Sequence, residues 1–105
     1  MSKICRFTVL ASRDLEAIID YVAEQSSIDI AETVLTKVNQ KCQQLMSFPG
    51  IGRKRDELST GVRSVPVDNY LVFYRLIEDG IEVLRIVSGY RDLEVLFEEE
   101  DPSEE

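Results

Sequence analysis

The chain has no histidine, two cysteines and no long apolar run. Each shortage excludes something. Without histidine, nucleophilic mechanisms of the Ser-His and Cys-His kind are ruled out. Cys5 and Cys42 alone supply too little sulfur for a zinc site without imidazole, so no metal is expected. They read instead as two buried free thiols in a reducing compartment. No stretch of 18 apolar residues is present, so no transmembrane helix and no membrane partner are expected. The apolar patch in "MSKICRFTVLASRD" is too short for a signal peptide and reads as a strand. A cytoplasmic location is the expectation.

What is present is a chain of 105 residues, 44% hydrophobic, long enough for one small core. The formal charge of −8 is concentrated at one end. Residues 98–105, "EEEDPSEE", hold six acidic residues and no basic one. Residues 1–97 hold 14 acids and 12 bases and are nearly neutral. The expected organisation is one folded domain, 1–97, followed by an acidic disordered tail, 98–105.

Residues 3–10 are rich in strand formers. Ser12 then reads as a helix N-cap, with Asp14 and Glu16 in the first turn. Leu15, Ile18, Ile19 and Val22 fall on one helical face, ending near Gln25. Ser26 or Ser27 caps a second helix whose stripe runs through Ala31, Val34, Leu35, Val38, Cys42, Leu45 and Met46 until Pro49-Gly50 stops it. Two amphipathic helices joined this closely form an αα-hairpin. A polar connection, 50–60, leads to the strand "GVRSVPV", where Pro66 requires an edge or an outward-facing missing N–H. "NYLVFYRLIE" and "IEVLRIVS" follow, separated by Asp79-Gly80, which predicts a type I′ hairpin turn. That turn would set Glu78 opposite Ile81, Leu76 opposite Val83 and Tyr74 opposite Arg85. "RDLEVLF" is compatible with a short helix or a terminal strand. The fold class is α+β: an N-terminal strand, an αα-hairpin and a three-stranded antiparallel meander. The helices pack on one face of a four-stranded sheet and leave the other face partly open.

Three arginines, Arg75, Arg85 and Arg91, interrupt the apolar residues 70–92. Arginine is rarely buried without a partner, so each needs either a structural mate or a binding role. Arg75 and Arg85 suit pairing with carboxylates or cation–π stacking on Tyr74, which Arg85 is set opposite. Arg91, following Gly89, can leave the core.

The segments "ASRDLEAIIDYVAEQ", "CQQLMSFPGIGRKRDEL" and "GVRSVPVDNYLVFYRLIEDGIEVLRIVSGYRDLEVLF" resemble the ParE branch of the RelE/ParE toxins of bacterial toxin–antitoxin pairs. The likeness runs from about Phe7 to Phe97. Its most specific part combines "FYR", the Asp-Gly and the closing "GYRDLEVLF". The resemblance implies a small toxin held by a cognate antitoxin. ParE-like members poison DNA gyrase, whereas RelE-like members cut mRNA on the ribosome. For the RelE-like chemistry, Arg91 retains the arginine near the end of the domain, but Leu71 stands where an arginine is expected and Phe97 where a tyrosine is expected. Phenylalanine cannot transfer a proton and leucine cannot stabilise a phosphate. The charge is also wrong for RNA, whose phosphates are bound mainly by Lys and Arg.

The resemblance therefore favours a gyrase-directed binding protein with no catalytic residue, cofactor or metal and no direct sequence-specific DNA binding. The alternatives are a ribosome-dependent mRNA endoribonuclease and a degenerate toxin acting as an antitoxin-bound co-repressor. The residues expected to meet the target or the antitoxin are Arg63, Arg75 and Arg91, the run Arg53-Lys54-Arg55, Tyr90 and Phe97.

Overall fold

The computed structural model describes residues 3–88. Strand β1 (Ile4–Phe7) leads into helices α1 (Val9–Gln25) and α2 (Ile28–Ser47). A 3-10 turn (Pro49–Ile51) and a two-residue strand β2 (Arg53–Lys54) follow. Strands β3 (Arg63–Val67), β4 (Tyr70–Ile77) and β5 (Gly80–Ser88) complete the described fold. The sheet has five strands in the order β1-β5-β4-β3-β2. The sheet has one strand more than the four expected. The polar connection contributes β2, and β1 pairs with β5 in parallel, Ile4 opposite Gly80 through Phe7 opposite Val83.

The parallel pairing follows from the route of the chain. β1 runs directly into α1, which crosses the sheet face and packs on β5 as well as on α2. The hand-over is made at Thr8, not at Ser12 as the sequence suggested. The Thr8 hydroxyl caps α1 by accepting from the Ala11 N–H at 3.0 Å, and it donates to the Leu84 carbonyl at 2.9 Å. One side chain thus satisfies an orphan helix donor and extends the strand ladder by one bond. Ser27 caps α2 as expected, accepting from the Ile30 N–H at 3.1 Å, with Asp29 in the first turn.

The core lies between the helix pair and one sheet face. Ala11, Val38, Cys42 and Leu45 meet Val65, Val67, Val72, Tyr74, Ile81, Val83 and Ile86. Cys42 is buried and Cys5 is half-buried, and both are free thiols. A hydrogen bond shared with Cys5, together with burial, pushes the Cys42 thiol far above the usual thiol range. Pro66 sits opposite Leu71 of β4, beyond the reach of β2, so its missing donor faces no strand.

The β4–β5 hairpin departs from expectation. Its loop is Glu78-Asp79, with Ile77 paired to Gly80, and the register passes through Leu76–Ile81 and Tyr74–Val83. Neither loop residue has a positive φ, as a type I′ turn would need at both central positions. Gly80 is drawn into the strand because β1 lies against it. A Cβ there would fall 1.8 Å from the Ile4 carbonyl oxygen. The register then shifts between Tyr74 and Phe73, which pairs with Arg85, leaving Leu84 as the extra residue of a β-bulge.

The face away from the helices is not bare. Val62, Phe73, Leu84 and Val87 are buried there, with Leu58 and Leu71 packed against them. The connection before β3 supplies Leu58 and Val62; Leu58 comes from the stretch that reads as a polar loop and Val62 from the start of the expected strand.

Candidate binding surface

The sheet register decides which cations share a surface. Arg63 is paired with Tyr74, whereas Arg75 is the next residue along β4. Neighbouring strand residues point to opposite faces, so Arg63 and Arg75 lie on opposite sides of the sheet. Arg63 turns toward the 3-10 turn, where its guanidinium donates to the carbonyls of Gly50 at 3.2 Å and Gly52 at 2.8 Å. Arg75 lies on the far face and pairs with Glu82 at 2.8 Å. Arg6 of β1 reaches the same carboxylate at 3.3 Å. Glu82 thus bridges two half-exposed guanidiniums across three strands. Each such exposed pair is worth no more than about 1 kcal/mol.

The basic run is divided as well. Arg53 pairs with Ser64 and Lys54 with Arg63 along the edge strand β2, and both side chains are exposed. Arg55 is held in place: it donates to Glu57 at 2.8 Å and to the Ser64 hydroxyl at 3.3 Å, and its guanidinium lies 5.7 Å from the centre of the Phe73 ring. That is within cation–π range. The Arg55 guanidinium beside Glu57 also holds that carboxyl below the usual range. Arg91, Tyr90 and Phe97 lie outside the described residues.

Two roles depend on contacts far along the chain. Arg85 takes a carboxylate as its mate. It forms two bonds with Asp14 of α1, at 2.8 and 3.1 Å. The same carboxylate accepts from the Ile86 N–H at 3.0 Å, at the point where β1 has ended and β5 would otherwise show a free edge. The sequence suggests a first-turn charge at Asp14, and only the Thr8 start of the helix brings it to β5. Tyr74 is the second. It has no exposed surface; its hydroxyl donates to the Pro49 carbonyl at 2.7 Å and accepts from the Gly52 N–H at 3.0 Å. Burial raises its pKa, partly offset by the Gly52 bond and by Arg63.

The phenol is therefore a structural clamp on the turn that leads into β2. Tyr74→Phe is expected to cost about 1–3 kcal/mol, because the buried Gly52 N–H and the Pro49 carbonyl lose their partner; urea unfolding measures it. In the wild type, stability is full below the free phenol value of about 10. It falls as pH rises from there through the higher value of Tyr74. A spectrophotometric titration should show one of the four tyrosines ionising last and together with unfolding.

Apolar side chains are exposed at several places, from Val9, Tyr21, Ile28 and Ile30 on the helices to the end of the sheet. Phe48, Ile51 and Leu76 are all at least half exposed near the end of the sheet, where a groove of about 670 Å³ is lined by Lys3, Met46, Pro49, Leu76 and the β4–β5 turn. A second groove, of about 560 Å³, runs between the helices past Phe7, Leu15, Ile19 and Leu35 and is rimmed by Glu16 and Asp20. No group of three or more His, Cys, Asp or Glu side chains is placed to hold a metal ion among the described residues. No described helix is long and apolar enough to cross a membrane.

The described chain is a helical hairpin laid on one face of a five-stranded mixed sheet, with arginines along the edges and the far face. The chromosomal ParDE toxin–antitoxin system from P. aeruginosa contains a chain of this fold, with a TM-score of 0.69 and 22% identity over 82% of this chain and 95% of that one. Toxin ParE3 of Caulobacter vibrioides is 31% identical over 93 residues, covering 89% of this chain and 92% of the relative. Residues 5–93 match the family model of the ParE toxin of type II toxin–antitoxin systems, parDE. The chain belongs to the ParE toxin family.

Proposed function

We propose that this ParE-family chain acts in the cytoplasm by binding and inhibiting DNA gyrase, and that a cognate antitoxin encoded beside it neutralises it. The observation that carries the reading is the state of the residues an RNA-cleaving relative would need. Leu71, where such an enzyme is expected to carry an arginine, packs half-buried against the second apolar cluster. The buried Tyr74 phenol is committed to Pro49 and Gly52, so it cannot take up a 2′-OH proton. Arg75 and Arg85 are each held by a carboxylate. A metal-free ribonuclease needs both a proton-transfer group and uncommitted cations at the scissile phosphate. Inhibition by binding needs neither.

The antitoxin reading rests on the family and on the exposed apolar grooves, which suit an amphipathic segment. Controlled expression with and without the adjacent gene tests it. Growth arrest with DNA damage, relieved by the neighbour and without new mRNA ends, is the expected result. Codon-phased mRNA cleavage, or no arrest at all, contradicts it.

A further inference from the structure

The two cysteines of the chain sit on different elements, Cys5 on β1 and Cys42 on α2, and meet in the core. Register brings them together. Alternate residues along a strand share one face, so Lys3, Cys5 and Phe7 lie on one side of β1. Met46, Cys42, Asn39 and Leu35 follow on α2 at i, i−4, i−7 and i−11, which is one helical face. The Lys3 ammonium donates to the Met46 carbonyl at 3.2 Å. Phe7 shares the groove between the helices with Leu35 and Asn39. Cys5 and Cys42 form the rung between these two. Two strand residues advance about 6.6 Å and four helical residues about 6 Å, so the rungs stay in step. The two thiols share a hydrogen bond as a result.

The pair is asymmetric. Cys42 is buried, whereas Cys5 is only half-buried and keeps a path to solvent. β1 is an edge strand bonded to β5 alone, so it can move toward α2 without dragging a second strand. The bond from Cys42 also favours the thiolate of Cys5 and lowers its pKa, against the opposing push of burial. A reachable thiolate beside a second, protected thiol is the arrangement in which oxidation goes on to a disulfide.

We propose that Cys5 and Cys42 form an oxidation site for peroxide, at which Cys5 reacts first and Cys42 then closes a disulfide between β1 and α2. The Cys5 thiolate attacks one oxygen of hydrogen peroxide. The O–O bond breaks, and the other oxygen leaves as hydroxide and takes up the proton that Cys5 released, giving water. Cys5 is now a sulfenic acid. The Cys42 sulfur attacks the Cys5 sulfur, the S–S bond forms, and the S–O bond breaks. Hydroxide leaves with the Cys42 proton as a second water. Two thiols are oxidised and one peroxide is reduced. The join between β1 and α2 thus becomes covalent under oxidising conditions, whichever macromolecule the toxin inhibits.

The full-length protein, reduced and then freed of reductant, tests this with hydrogen peroxide at neutral pH. Both thiols should disappear together, and the mass should fall by two hydrogens. Digestion without reductant should yield one peptide pair linked through Cys5 and Cys42. Dithiothreitol should reverse all three changes. Cys42→Ala should stop at a Cys5 sulfenic acid that dimedone traps. Cys5→Ala should react at least about tenfold more slowly, because a buried neutral thiol is a poor nucleophile. The thiol count and mass of the wild type decide the matter even where a variant fails to fold. The proposal is overturned if both thiols survive a treatment that consumes free N-acetylcysteine, or if oxygen is added with no linked peptide pair. It is equally overturned if the disulfide joins two chains, or if Cys5→Ala reacts as fast as Cys42→Ala.

Discussion

Asp14→Ala is expected to destabilise the fold by about 3 kcal/mol. Two costs combine. Arg85 and Asp14 are largely buried, with side chains 11% and 17% exposed, and removing one partner of a buried pair leaves the other charge poorly solvated. The Ile86 N–H also loses its acceptor, which adds the cost of an unsatisfied buried donor. Asp14→Asn retains an acceptor for Ile86 but not the charge, so it should fall between alanine and wild type. Arg6→Ala is the control. Its guanidinium is 55% exposed and shares Glu82 with Arg75, so its loss should cost under about 1 kcal/mol. Urea unfolding separates the three if the midpoint moves while the slope stays constant. A drop for Asp14→Ala no larger than that for Arg6→Ala would show that α1 is not anchored to β5 by this carboxylate.

Gly80→Ala is the other large effect, expected at about 3–5 kcal/mol. The new methyl group would meet the Ile4 carbonyl oxygen at 1.8 Å and the Ile4 N and C atoms at 2.8 Å. These are backbone atoms. They cannot yield without breaking the β1–β5 pairing and the Ile4 N–H bond to Asp79 at 2.9 Å. Overpacking in a rigid site ordinarily costs about 1–3 kcal/mol, and losing strand pairing adds to it. Gly50→Ala is the comparison, since nothing lies within 4 Å of a Cβ there. It should stay within about 0.5 kcal/mol of wild type. Thermal unfolding measures both, at roughly 4–8 °C per kcal/mol for a domain of this size.

These two positions also mark where the sequence stops being readable. α2 was legible because its signals are local. Ser27 caps it, the stripe from Ala31 to Leu45 keeps the helical period, and Pro49-Gly50 ends it. The start of α1 was misread because the Thr8 hydroxyl serves β5 as well as the helix, and that second partner lies at the far end of the chain. The hairpin register was misread for the same reason. Asp79-Gly80 looks like the turn, but Gly80 is paired within the strand, where both its φ of 156° and the closeness of the Ile4 backbone call for glycine. β2 consists of two residues in a polar stretch and exists only by pairing with β3.

The candidate surface suffered most. Arg63 and Arg75 both read as cations on apolar strands, and no local pattern reveals that the β3–β4 register sends them to opposite faces. Family membership was legible because it rests on the whole chain from Phe7 onward, and no single face or register enters into it.

The central claim is that this ParE-family chain inhibits gyrase by binding and not by cutting RNA. It is tested most directly by adding the purified protein to purified DNA gyrase and following supercoiling of relaxed plasmid. The account predicts that supercoiling falls in proportion to the toxin added and returns when the adjacent antitoxin is supplied. Full supercoiling at a large molar excess of correctly folded toxin, together with codon-phased mRNA cleavage by the same preparation on ribosomes, would contradict it.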